Sequence, residues 1–268
     1  MWGDPMDKVT VPLIRGRKGG ERITMLTAYD FPFASILDNA GIDIILVGDS
    51  VGNNVLGYPN SLPVTVHEMI HHTKPVAKAA KRALVVIDMP FMSYHESLEQ
   101  ARRNAGRMIK ESGAEAVKVE GGIRIRDVIR AIVDIDIPVI GHIGLTPQSV
   151  NAFGGFKVQG KGAAEERLME DAKAVEEAGA FAVVLEGVPR EAARKVTAML
   201  SIPTIGIGAG PDCDGQVLVT HDLLGFGDFR PKFAKTYVNI KEQIEKGVKD
   251  YIGEVRTGAF PDDAHSFH

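Results

Sequence analysis

Cysteine is almost missing from this chain. Cys213 is the only one in 268 residues, so an intrachain disulfide is impossible and nothing points to an oxidising compartment. Long apolar runs are missing too. Stretches such as Leu84 to Ile87 are broken within a few residues by charge, glycine or proline, far short of the roughly 20 apolar residues of a membrane span. An excess of basic residues is absent: the formal net charge is −4, which leaves no electrostatic footprint for nucleic acid and favours small, neutral to mildly acidic partners. Met1-Trp2-Gly3-Asp4-Pro5 lacks a basic region followed by an apolar one, so no signal peptide is read there and the cytoplasm is the expected location. No Pro/Ser-rich linker or low-complexity tract divides the chain, and one domain over 1–268 is expected.

What is present is a repeated arrangement. Ile42 to Val47 is a short apolar run that stops at Gly48-Asp49-Ser50, the pattern of a strand buried on both faces. Leu84-Val85-Val86-Ile87 ends at Asp88, Ala116-Val117-Lys118-Val119 at Glu120, Ile137 to Gly141 at His142, and Phe181 to Leu185 at Glu186. Ile23 to Ala28, Ile202 to Gly208 and the weaker Gln216 to Leu224 complete the set. Helical patterns alternate with these runs: about Phe31 to Asn39, a stretch to about Arg82 that Thr65 and Glu68 open as a capping box, His95 to Ser112, Ile123 to Val133, Ala164 to Glu177, a helix from Pro189 to about Leu200, and a closing helix from Phe233 to Tyr251 before a short tail. Spacings of roughly 30–40 residues between strand ends match βα units. A single (β/α)8 barrel, with a site at the carboxyl ends of its strands, is the economical reading.

In such a barrel Asp49, Asp88, Glu120, His142 and Glu186 converge on one face, with Lys118 one layer below. Crowded carboxylates share protons or hold a cation. Oxygen ligands favour a hard ion, Mg²⁺ before Mn²⁺. Such a cation can hold a keto acid and stabilise charge developing on its oxygen, which suits proton abstraction beside a carbonyl by a base that is not a ligand. Glu186 is the candidate base, with Val183 and Leu185 expected to raise its pKa. Its plain structural alternative is a cap for the helix at Pro189.

The stretches Val47-Gly48-Asp49-Ser50, Asp88-Met89-Pro90-Phe91, Lys118-Val119-Glu120-Gly121-Gly122, Gly141-His142-Ile143-Gly144-Leu145-Thr146-Pro147-Gln148 and Gly206-Ile207-Gly208-Ala209-Gly210 resemble, in order, the ketopantoate hydroxymethyltransferase family. The likeness runs from about Thr24 to His268, and the family is related to the phosphoenolpyruvate mutase and isocitrate lyase barrels. It implies transfer of a one-carbon unit from 5,10-methylenetetrahydrofolate, or a modified pterin, to 3-methyl-2-oxobutanoate, giving 2-dehydropantoate. Carried over by position, Asp49, Asp88 and Glu120 match the Mg²⁺ site, Glu120 through water. Ser50, Asp88 and Lys118 match keto-acid contacts, Asp49 and His142 lie beside the substrate, and Glu186 matches the proton acceptor. Gly187 stands where the family commonly has cysteine. The resemblance also implies a homo-oligomer, typically a decamer; Phe226, Phe229, Phe233 and Tyr237 are interface or packing candidates.

Other readings compete. His67-Glu68-Met69-Ile70-His71 has the H-E-x-x-H spacing of a zinc metallohydrolase, but no third ligand stands out downstream. Gly206, Gly208 and Gly210 form either a phosphate cradle or a tight turn, and Gly154-Gly155 either a lid hinge or a flexible stretch of the glycine-rich loop 144–162. A non-catalytic barrel scaffold is disfavoured, because folding has no use for the mutual repulsion of the strand-end carboxylates.

Overall fold

Apolar side chains on both faces of a short parallel strand leave the sheet no wet side, and closure into a barrel buries both faces. The computed structural model, which describes residues 7–155, 158–160, 162–227 and 231–268, has that closure. Eight parallel strands follow chain order around the barrel: β1 (Ile23–Thr27), β2 (Ile44–Val47), β3 (Leu84–Asp88), β4 (Ala116–Glu120), β5 (Val139–Gly144), β6 (Ala182–Glu186), β7 (Thr204–Ile207) and β8 (Gly215–Leu218). Ile23 pairs with Gly215, which closes the ring. The (β/α)8 class read from the sequence is the fold observed.

The period of two along each strand sorts the core into two shells. Ile44, Leu46, Leu84, Val86, Ala116, Ile140, Ala182 and Val184 fill the barrel interior. The residues between them, among them Ile45, Val47, Val85, Ile87, Val117, Val119, Val183 and Leu185, face the helices. Those helices are, before β1, α1 (Val11–Gly16); then α2 (Phe31–Asn39), α3 (Val51–Asn54), α4 (Val66–Ala79), α5 (Leu98–Ser112), α6 (Arg126–Val133), α7 (Val150–Phe153), α8 (Ala164–Glu177) and α9 (Arg190–Met199). The capping box at Thr65 and Glu68 is present. The helix expected from His95 starts at Leu98, because Ser97 is extended and its side chain accepts from Gln100 N.

The helix α1 is absent from the sequence reading, being too short to show a period. It closes the amino-terminal end of the barrel: Ile14 is fully buried in the inner shell. Arg17 reaches Asp43 at 2.8 Å and Lys18 reaches Asp214 at 2.9 Å, both carboxylates standing just ahead of strands.

The chain groups into two compact units that divide after Leu218, where the sequence reading drew one domain. The second unit carries α10 (Thr220–Leu224) and α11 (Ile240–Thr257). The eighth strand, expected to reach Leu224, therefore ends at Leu218. The closing helix starts at Ile240 rather than Phe233: Tyr237 N–H is committed to Leu223 O at 2.9 Å, and Thr236, Tyr237 and Val238 are poor helix formers. It ends at Gly258, which takes the left-handed φ of 74°. Phe233 and Tyr237 are exposed and Phe226 is half-buried, while Phe229 lies outside the described residues.

Ile14→Ala should lower stability by about 2–5 kcal/mol, the cost of a core cavity, read as a shifted denaturation midpoint. An unchanged midpoint would mean that α1 is not part of the folded barrel.

Candidate active site

Strand parity delivers the site. Asp88 stands two residues beyond inward-facing Val86, Lys118 and Glu120 two and four beyond Ala116, His142 two beyond Ile140 and Glu186 two beyond Val184, so all five point into the barrel mouth. Register sets their heights: Asp88 is level with Lys118 and Glu120 with His142. Lys118 thus lies level with Asp88, because neighbouring strands are staggered, and is a layer below Glu120 and His142. Asp49 follows β2, and its N–H donates to Asp88 Oδ2 at 3.1 Å. Gly48 makes that approach possible, since a Cβ there would stand 2.7 Å from Ser50 Oγ and 3.4 Å from Asp88 Oδ2.

Lys118 Nζ lies 3.0 Å from Asp88 Oδ1, 3.8 Å from Glu120 Oε1 and 3.1 Å from His142 Nδ1. His142 bridges two carboxylates, with Nδ1 3.3 Å from Glu120 Oε1 and Nε2 3.1 Å from Glu186 Oε2. Ser50 is held by Tyr29, whose hydroxyl is 2.8 Å from Ser50 Oγ. Asp49, Asp88, Lys118, Glu120, His142 and Glu186 are therefore in one network, and Ser50 follows Asp49 with its side chain bonded to Tyr29. Val183 and Leu185, expected to desolvate Glu186, face the helices instead; the neighbour of its carboxylate is the His142 imidazole, and its side chain keeps 14% exposure.

Gln148 was missed, because an amide in a glycine-rich loop has no spacing signature. The loop is not featureless: Pro147–Ser149 forms a 3₁₀ turn that runs into α7 and tucks Gln148 under the carboxylates. Gln148 N–H donates to Glu120 Oε2 at 3.0 Å, and its Nε2 donates to Asp49 Oδ2 at 2.9 Å and Met89 O at 3.0 Å. Its Oε1 accepts from the Tyr94 hydroxyl at 2.8 Å, which in turn accepts from Glu120 N–H at 3.1 Å. This chain fixes the sense of the amide and leaves Asp49 Oδ1 outside it.

Burial and charge act together on the cluster. Burial first, then the charges of Glu120 and Asp88, pushes Asp49 well above the usual carboxylate range. Burial also raises Asp88, against the pull of Lys118. For Glu120 burial is outweighed by His142 and Lys118, and its pKa falls. Burial and Lys118 act to lower His142, but Glu120 and Glu186 win and push it up to about 9. A charged imidazole is attracted to both carboxylates, although Nε2 makes no aligned hydrogen bond, and its contact with Lys118 is a like-charge approach that the surrounding acids offset. Burial likewise raises Tyr29 to about 12, leaving its hydroxyl proton in place for Ser50.

Fully ionised, Asp49, Asp88, Glu120 and Glu186 would set four negative charges against the two positive charges of Lys118 and His142, a state that burial opposes at Asp49 and Asp88. The deficit is that of one divalent cation. Asp88 Oδ1 is buried without an aligned hydrogen bond, although Lys118 is near it. Among the described residues no three acidic, histidine or cysteine side chains form a ready metal cage. A Mg²⁺ site does not require one, since that ion is commonly held by one or two carboxylates plus water and substrate. The donor set, hard oxygens with uncompensated charge, fits such an ion.

The H-E-x-x-H reading fails on Glu68. Its carboxylate is spent on Thr65 N and Oγ1 at 2.7 and 2.8 Å and on the Tyr58 hydroxyl at 2.6 Å, so it caps α4 and activates no water. The Gly206 to Gly210 turn is occupied by its own side chains: Cβ atoms at Gly206 and Gly210 would meet Cys213 and Arg190 at 3.0 and 2.7 Å. Gly154 and Gly155 both take positive φ, 64° and 115°. Gly187 does so too, at 55°, and a Cβ there would press Leu145 at 3.0 Å. That is the packing consequence of having no cysteine at this position.

The closed barrel with its acidic cluster at the strand ends has the (β/α)8 fold. Solved structures with this fold include a 2,3-dimethylmalate lyase (TM-score 0.63, 18% identity, 98% of this chain and 93% of that one covered). A phosphonopyruvate hydrolase in complex with oxalate and Mg²⁺ aligns with a TM-score of 0.62 at 14% identity, covering 97% of this chain and 93% of that one. Sequence is more specific. The family model described as ketopantoate hydroxymethyltransferase matches residues 8–263. The 3-methyl-2-oxobutanoate hydroxymethyltransferase of Geobacter metallireducens is 58% identical over 262 residues, covering 97% of this chain and 98% of that one. That of Clostridium botulinum is 60% identical over 250 residues, covering 92% and 91%. The chain belongs to the ketopantoate hydroxymethyltransferase family, a family of transferases consistent with a divalent metal. Among the described residues no helix is long and apolar enough to cross a membrane.

The His142 shift has a stability consequence. Its folded pKa, about 9, lies above the ordinary 6.5, so its contribution is complete below about pH 6.5 and is lost as pH rises through about 9. The span corresponds to roughly 3 kcal/mol. Denaturation of EDTA-treated protein between about pH 6 and 10 should show this decline in the parent chain and not in His142→Gln. Equal slopes would mean that the imidazole is not charged in the folded state.

Proposed function

We propose that this chain transfers the one-carbon unit of 5,10-methylenetetrahydrofolate, or of a modified pterin, to C3 of 3-methyl-2-oxobutanoate, giving 2-dehydropantoate. The observation that carries the reading is the buried acid cluster that, fully ionised, is short of two positive charges, with Glu186 at its edge. A Mg²⁺ ion held by Asp49 and Asp88, and by Glu120 through water, would supply Lewis acidity toward the keto acid's oxygens.

The chain's own groups do the rest. Lys118, whose pKa its acidic neighbours raise despite its burial, offsets the substrate carboxylate and the charge that develops when C3 loses its proton. Ser50, oriented by Tyr29, is placed to donate to the same substrate. Glu186 takes the C3 proton and holds it. His142 Nε2, 3.1 Å from Glu186 Oε2, attracts that carboxylate toward the cluster. On the carrier the methylene opens to an iminium, water adds to it and the remaining carbon–nitrogen bond breaks, releasing tetrahydrofolate and a formaldehyde unit. The enolate attacks that carbon, a carbon–carbon bond forms, and the new alkoxide takes up the proton held by Glu186. Pantothenate and coenzyme A biosynthesis, a cytoplasmic setting and a homo-oligomer, a decamer as in the family, belong to the same proposal.

Two experiments test it. Purified protein with 3-methyl-2-oxobutanoate, methylenetetrahydrofolate and Mg²⁺ should form 2-dehydropantoate and stop with EDTA; turnover indifferent to EDTA would remove the metal from the scheme. Glu186→Gln should slow deuterium exchange at C3 of the keto acid by about 10²- to 10⁴-fold, and exchange at the parent rate would exclude Glu186 as the base. For the supporting shell, Gln148→Ala should weaken Mn²⁺ binding, titrated without substrate, by about 10- to 100-fold. Undiminished affinity in a folded variant would leave Gln148 no part in placing Asp49.

A further inference from the structure

The reaction requires the keto acid to be buried and the carrier to approach from the mouth of the barrel. Beside the ends of β4 and β5, toward α8, lies a cavity of about 300 Å³. Its wall starts at Gly121 and Gly122, the residues directly after Glu120, and continues at Gly144, two beyond His142. Two residues of chain span at most about 7 Å, so the cavity adjoins the acid cluster.

Its charged lining is Arg124, Arg167 and Asp171. The acid is already engaged: Asp171 Oδ1 accepts from Ile123 N–H at 2.8 Å, and Oδ2 lies 4.0 Å from Arg167 Nε. Gly122 allows this, because a Cβ there would overlap the Asp171 carboxylate at 2.0 Å. Arg167 keeps 61% side-chain exposure, and Arg124 is exposed without a hydrogen bond or ion pair among the described residues. The cavity therefore presents the unpaired guanidinium of Arg124 and the largely exposed one of Arg167, held only by its 4.0 Å contact with Asp171; the planar donor forks of such groups match carboxylates two bonds at a time.

A second cavity, about 380 Å³, is at the opposite end of the barrel and its Lys18 is paired with Asp214 at 2.9 Å. The keto acid's own carboxylate is answered by Lys118 inside. The ligand that must reach the mouth while bearing carboxylates far from its reacting carbon is the carrier.

Building on the function proposed above, we propose that Arg124 and Arg167 bind the glutamate carboxylates of the one-carbon carrier in the cavity beside the β4 and β5 ends. The carrier's ring system then lies across the mouth with its one-carbon unit over C3 of the keto acid.

The test compares methylenetetrahydrofolate with methylenetetrahydropteroate, which lacks the glutamate, in the parent chain, in Arg124→Ala, in Arg167→Ala and in the double variant. Arg126→Ala, outside the cavity lining, controls for net charge. The parent should favour the glutamate-bearing carrier in KM, and the double variant should raise that KM about tenfold, which is the loss of about 1.4 kcal/mol of binding, and abolish the preference. The KM for 3-methyl-2-oxobutanoate should not follow. An unchanged preference in the double variant, or an equal loss in Arg126→Ala, would overturn the assignment. So would joint loss of carrier binding and carrier-independent C3 exchange, since the arginines would then be supporting the barrel. Absence of C3 exchange in the parent chain would instead count against the proposed reaction.

Discussion

The constraint on which the rest of this structure depends is a buried charge imbalance. Lys118 is enclosed by acids at the centre of the barrel mouth, and its ammonium alone does not balance them. Desolvation would expel any one of these groups if it stood unpaired. Strand register, the missing side chain at Gly48 and the Gln148 amide hold them within hydrogen-bonding distance despite that cost. Asp49 shows the tension most directly, its ionisation opposed by burial and by neighbouring acids. A site left short of positive charge has a chemical use, because a cation and an anionic substrate can enter it together.

The two ends of the barrel divide the work, as the fold permits. At the amino-terminal end Asp43 meets Arg17 and Arg82, Asp214 meets Lys18, and α1 seals the inner shell with Ile14. Those charges are matched and their role is to hold the barrel. At the carboxyl end acids outnumber cations, Gly144 takes a left-handed φ of 93° where a Cβ would strike Glu186 O at 2.4 Å, and exposed guanidinium groups line the neighbouring cavity. Stability and chemistry are thus separated along the barrel axis.

The barrel was legible in the sequence because short apolar runs ending in a carboxylate recur at the length of a βα unit, and parity along a strand is a local property. Elements whose form is set by distant partners were not. The last helix begins at Ile240 because Tyr237 N–H is taken by Leu223 O, and α1 exists because the barrel bottom needs a lid. Gln148 carries no periodic signal: only folding of its loop brings the amide to Asp49, 99 residues away in the chain. The H-E-x-x-H spacing misleads for the converse reason, since a local pattern does not reveal that Glu68 is spent on a helix cap.

By itself the sequence determined which side chains enter the mouth, because alternation along each strand assigns Asp88, Lys118, Glu120, His142 and Glu186 to the inner face whatever surrounds them. Only the tertiary structure decided how they meet. Stagger between strands sets Lys118 level with Asp88 and turns His142 toward both Glu120 and Glu186. Charge state and partnership depend on distances of a few ångströms between strands remote in sequence, and those distances come into being only when the barrel closes.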